Sequence, residues 1–124
     1  MIDNRMCIKG RSVNRLLAVM SSEKRLVDFE RIIPCPEWMS FNDEDTRERG
    51  MDWMHENWGC VNYAGNARID GQFVRFTTKT PVLPIAKKVA ELCGEEVTYL
   101  ALDTEHAEGW KMYVVSPEGG VETY

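Results

Sequence analysis

The sequence predicts an α+β domain in which helices cover one face of an antiparallel sheet, and three observations lead there. Apolar residues recur at helical spacing in separate segments, among them Val13, Leu16, Leu17 and Met20, at i, i+3, i+4 and i+7. Between the helical segments lie short runs rich in β-branched and aromatic residues, such as QFVRFTTKT at 72–80. One pair of these runs is joined by Asp70-Gly71, a dipeptide whose tolerance of positive φ suits the tight turn between antiparallel strands. Mixed helices and hairpin-joined strands pack best as two layers, and 124 residues suffice for one core, so a single domain spanning 1–124 is expected.

Taken in order, residues 5–9 (RMCIK) alternate Met6 and Ile8 with other types, predicting a first strand that Gly10 ends. Ser12 is placed to cap the helix that contains Val13 to Met20. In LVDFERIIPCPEW, Val27, Phe29 and Ile32 predict a second strand, which Pro34 and Pro36 stop. Asn42 is the expected cap of an inserted helix over 42–58, with Asp43, Glu44 and Asp45 at its positive end and Met51, Met54 and Trp58 turned inward. Gly59 terminates it. A hairpin of strands at 67–70 and 72–80 follows, then a helix opened by Pro81 and Pro84, carrying Ile85, Val89 and Leu92 inward and closed by Gly94. Strands at 96–103 and 110–115 flank the acidic loop TEHAEG, and a short strand at 121–124 completes the order. The ferredoxin-like βαββαβ plan, with the helix at 42–58 as an insertion, is the simplest arrangement of these elements.

Charge narrows the partners. Residues 1–31 carry a net +3 and the remainder −8, giving −5 overall. Because nucleic-acid affinity rests heavily on phosphate neutralisation, such a chain is a poor general binder of DNA or RNA. No segment approaches the ~20 apolar residues of a membrane span, and MIDNRMCIKGRS lacks a signal peptide's apolar core, so the cytoplasm is the expected location. Cys7, Cys35, Cys60 and Cys93 form no Cys-x-x-Cys pair, and most of them read as small buried apolar residues.

Three segments, IIPCPEW at 32–38, ENWGCVNYA at 56–64 and VRFTTKTPVLPIAKKVAEL at 74–92, together resemble the YubB-type ferredoxin-like domain of plasmid and phage proteins. In that family a Pro-x-Pro element precedes a helix ending in Asn-Trp-Gly, and a Phe-x-Thr strand runs into a proline-initiated helix. Where the family has a basic residue and a second tryptophan after Asn-Trp-Gly, this chain has Val61, Asn62 and Tyr63. The resemblance implies the fold and a mobile-element context, and it brings no established catalytic chemistry.

HENWGC at 55–60 offers His55 as a base and Cys60 as a nucleophile. A helix C-terminus opposes that pairing, since its negative end disfavours a thiolate. The alternative is structural: Trp58 fills the core, Asn57 satisfies orphan carbonyls and Gly59 reverses the chain. The HExxH zinc pattern fails at Gly59, so neither metal, cofactor nor catalytic residue is expected.

Asp43, Glu44, Asp45, Glu48 and Asp52 form an acidic helix surface that reads either as a solvated face or as an electrostatic mimic of nucleic acid. In the second reading, Trp38 and the loop residues Glu105, Glu108 and Trp110 add contacts. The function expected is then a non-catalytic phage or plasmid protein that binds and antagonises a host defence or nucleic-acid-processing protein, in the manner of an anti-CRISPR. The alternative is an RNA- or nucleotide-binding sheet face using Arg5, Lys9, Arg11, Arg68, Arg75 and Lys79.

Overall fold

The computed structural model describes residues 1–39, 43–106 and 109–124. The chain forms β1 (Ile2–Cys7), α1 (Asn14–Met20), α2 (Phe29–Ile32), α3 (Glu44–Trp58), β2 (Gly65–Asp70), β3 (Phe73–Thr78), α4 (Leu83–Cys93), β4 (Val97–Asp103), β5 (Lys111–Val115) and β6 (Val121–Thr123). The six strands make one sheet in the order β2-β3-β1-β4-β5-β6, every neighbouring pair antiparallel. This is an α+β fold. Its six-strand order is longer than the classic four-strand ferredoxin-like one, with β5 and β6 extending the sheet beyond β4.

Strand alternation gives the sheet two unlike faces. One carries Ile2, Met6, Val74, Phe76, Val97, Tyr99 and Val115, all buried, and the helices pack against it. From α4 come Ile85, Ala86, Val89 and Ala90, from α1 Leu16 and Met20, and from α3 Met54 and Trp58. The other face presents Asp3, Arg5, Arg75, Leu100, Leu102 and Met112, and no described helix covers it.

Several sequence expectations need correction. The first strand runs over Ile2–Cys7 instead of 5–9, because Asp3 and Asn4, poor strand formers by propensity, are paired on both sides by β3 and β4. The strand expected around Val27 to Ile32 is the short helix α2. Asp28 caps it by accepting from the Glu30 and Arg31 amides at 3.1 and 3.3 Å, and Phe29 and Ile32, three apart, share its buried side. Asp43, not Asn42, caps α3, accepting from the Thr46 amide at 2.8 Å; Asn42 itself lies outside the described residues. Met51 is exposed where Gly50 is buried, and Leu92 is exposed where Ala90 is buried, so small residues let both helices approach their neighbours closely. The hairpin at Asp70-Gly71 forms as read, with Asp70 opposite Phe73 and Gly71 at φ 60°.

Candidate functional site

The corner after α3 joins the three quoted segments. Trp58 is 1% exposed and donates from Nε1 to the Ile33 carbonyl at 2.9 Å, while its ring meets Phe29 at 5.6 Å and Trp53 at 5.7 Å. Gly59 follows in the left-handed region at φ 92°, and a Cβ there would stand 2.5 Å from the Pro81 carbonyl oxygen. Two independent demands therefore require glycine. Thr80 Oγ1 donates to the Gly59 carbonyl at 2.6 Å, Thr78 Oγ1 to the Thr80 carbonyl at 2.6 Å, and Asn4 Nδ2 to Thr78 Oγ1 at 2.9 Å. Tyr99 closes the chain by donating to Asn4 Oδ1 and accepting from the Val82 amide at 2.8 Å. Burial raises the Tyr99 hydroxyl's pKa, keeping it a donor.

That corner is scaffold. Asn57 Nδ2 donates back to the Trp53 carbonyl at 2.9 Å, one turn earlier within α3, and not to the orphan carbonyls at the helix end that were expected to be its partners. Burial pushes the Cys60 thiol up to about 11, so it stays protonated, and it faces the Asn62 carbonyl at 3.6 Å while His55 is exposed. Trp58 borders a pocket of about 200 Å³ with Cys35, Met39, Met54, Asn62 and Tyr63, in which no imidazole takes part.

The outer side of α3 is unlike its inner side. At about 100° per residue, Glu44, Glu48, Asp52, Asp45 and Glu56 fall in an arc of roughly 120°, with Gly50 opposite its centre and the buried Met54 and Trp58 about 140° and about 100° away from that centre. All five are exposed, and no ion pair joins any of them to another described residue. Asp43 adds a sixth carboxylate at the positive end of the helix, where hydrogen bonds from the Thr46 amide and hydroxyl lower its pKa. Trp38, 43% exposed, lies beside this arc with the Arg49 guanidinium 4.8 Å above its ring.

The other expected contacts lie elsewhere. Trp110 stands on the open sheet face with Arg5, Leu100 and Leu102, across the sheet from the helical layer. Glu105 sits 3.5 Å from the N-terminal amine, and Glu108 is outside the described residues. The predicted partner surface is thus split into an α3 part and a loop part. The loop also gathers Asp103, Glu105 and His106, with ligand-type atoms within 4.8 Å of one another. His106 Nδ1 lies 2.9 Å from Asp103 Oδ2, and the Glu105 amide donates to Asp103 Oδ1 at 3.0 Å. These contacts close the turn, and Glu105 and His106 remain exposed.

Of the six basic residues considered for a sheet-face site, the register unites Arg68, Arg75 and Arg5 in one cross-strand row that continues into Leu100 and Met112. Like charges directly opposite repel, and two carboxylates interleave them. Asp3 Oδ2 receives Arg75 Nη2 at 2.8 Å and Arg5 Nη2 at 3.1 Å, and Asp70 receives Arg75 Nη1 at 2.9 Å. Arg11 is turned away to Glu95, which it shares with Arg15. Lys9 and Lys79 lie beyond the strand ends.

No family model, no curated protein and no solved structure matches this chain.

Proposed function

We propose that this chain is a non-catalytic binding protein that docks the acidic outer arc of α3, flanked by Trp38, into a basic groove of a nucleic-acid-handling protein. The observation that carries the reading is the arc itself: five exposed carboxylates on one side of a helix whose other side is anchored by Trp58. Such an array presents fixed negative charge on a rigid element, as a phosphate backbone does to its protein partners. The partner's class follows from that charge, and antagonism follows from occupying the surface where nucleic acid would sit.

The resemblance to the YubB-type ferredoxin-like domain supports a phage or plasmid setting, with a defence or nucleic-acid-processing protein in the host cytosol as the target. Its three quoted segments meet at the Trp58–Gly59 corner through Ile33, Thr80 and Pro81. The order β2-β3-β1-β4 within the sheet also suits a ferredoxin-like core to which β5 and β6 are added.

The test is affinity capture from host lysate with the wild-type chain and a Glu44→Lys, Asp45→Lys, Glu48→Lys variant in parallel. Wild-type protein should retain a nucleic-acid-binding protein that added DNA releases, and the variant should lose it. Equal retention by the variant removes the α3 arc from the interface.

A further inference from the structure

The open sheet face holds a second surface that the α3 reading does not use. Trp110, 56% exposed, borders a depression of about 280 Å³ whose other lining residues are Arg5, Leu100 and Leu102. Its floor is aliphatic, one wall is an indole and one edge is a guanidinium. Arg5 is fixed by its bond to Asp3, yet its side chain remains 34% exposed, leaving other N–H groups to donate.

Beside the depression the polar cluster is incomplete. Asp3 is 7% exposed and stands on the same face, directly opposite Leu102. Its Oδ1 and the neighbouring Arg75 Nε are buried without a hydrogen-bond partner. A buried charged cluster short of its full complement of bonds is costly: Asp3 Oδ1 lacks a donor and Arg75 Nε an acceptor, while the part-exposed Arg5 is the donor that borders the depression.

Size and charge choose the occupant. Small-molecule pockets run from roughly 300 to 1,000 Å³, so this one accommodates a single ring system and not a run of stacked bases. A net charge of −5 opposes a polyanionic strand far more than a small anion. We infer that the depression beside Trp110 binds a mononucleotide, with its base stacked on the indole above Leu100 and Leu102 and its phosphate held by Arg5.

Indole ¹⁵N–¹H spectra of the protein are to be recorded against AMP, GMP, CMP and UMP, the four nucleosides and inorganic phosphate. The Trp110 resonance is the one missing in Trp110→Phe. At least one nucleotide should shift it, with an affinity about tenfold better than its nucleoside and falling as salt rises. Trp110→Ala should weaken binding about tenfold or more at an unchanged melting temperature, and Arg5→Gln should weaken it as much while also lowering the melting temperature, because Asp3 loses one of its two arginine partners. The triple lysine variant of α3 should bind normally, separating this site from the proposed protein interface.

No shift up to about 10 mM nucleotide overturns the inference, as does equal binding by Trp110→Ala. Equal binding of nucleoside or of phosphate alone refutes the two-part site. Tighter binding of a ten-residue single strand than of any mononucleotide refutes the assignment to a free nucleotide.

Discussion

Asp3 and Asn4 are neighbours in the chain and lie on opposite faces of the sheet, and both are almost fully buried, at 7% and 0% exposure. Asn4 belongs to a neutral network in which its amide and carbonyl groups, the Tyr99 hydroxyl and the Val82 amide are all engaged. Asp3 belongs to a charged cluster of two arginines and a second aspartate, in which two polar atoms lack partners. The contrast separates two uses of buried polarity. A fully satisfied network beneath the helices fixes the register of β1, β3 and β4 and the start of α4; the incomplete one lies on the face that no described helix covers.

The contrast can be broken most severely from the helical side. Trp58→Ala should cost about 3–5 kcal/mol in chemical denaturation, because it empties a fully packed site and orphans the Ile33 carbonyl. A loss below about 1 kcal/mol would mean that the corner is not the anchor of α3. Tyr99→Phe should follow, at about 2 kcal/mol, since removing one hydroxyl leaves Asn4 Oδ1 and the Val82 amide unpaired in a dry site. A change within about 0.5 kcal/mol would show the network to be dispensable.

The smallest expected effect comes from the open face and is read through pH. Burial alone would raise the Asp3 pKa, but hydrogen bonds and charge from Arg75 and Arg5 outweigh it, and the net shift is downward. A carboxylate with a lower pKa folded than unfolded stabilises fully above its unfolded value, and that stability is lost as pH falls through the folded value. The melting temperature should therefore decline from about pH 5 toward pH 2, less steeply in Asp3→Asn than in wild type. Parallel pH profiles would show that the cluster carries no linkage.

Much of this was legible in the amino-acid order because local physics decides it. The Asp70-Gly71 hairpin, the proline-opened α4 and the Gly59 stop follow from φ preference and missing amide donors, which neighbouring residues do not override. The acidic arc was equally readable, since it depends only on α3 being helical and anchored by Met54 and Trp58. By contrast, Phe29 and Ile32 misled because a short apolar segment serves a strand or a single helical turn equally well, and the Asp28 cap chose the turn.

The sequence by itself determined the α+β class, the turn positions and the two-sided character of α3, all set by interactions within a few residues. Tertiary structure alone placed Arg68, Arg75 and Arg5 in one row, set Trp110 on the open sheet face and Trp38 beside α3, and buried Asp3 among arginines. Those outcomes depend on strand register across more than 60 residues of chain. Local propensity carries no information at that separation. Pairing Asp3 with Thr77 and Leu102 is a collective result of fitting every strand's apolar side to one core.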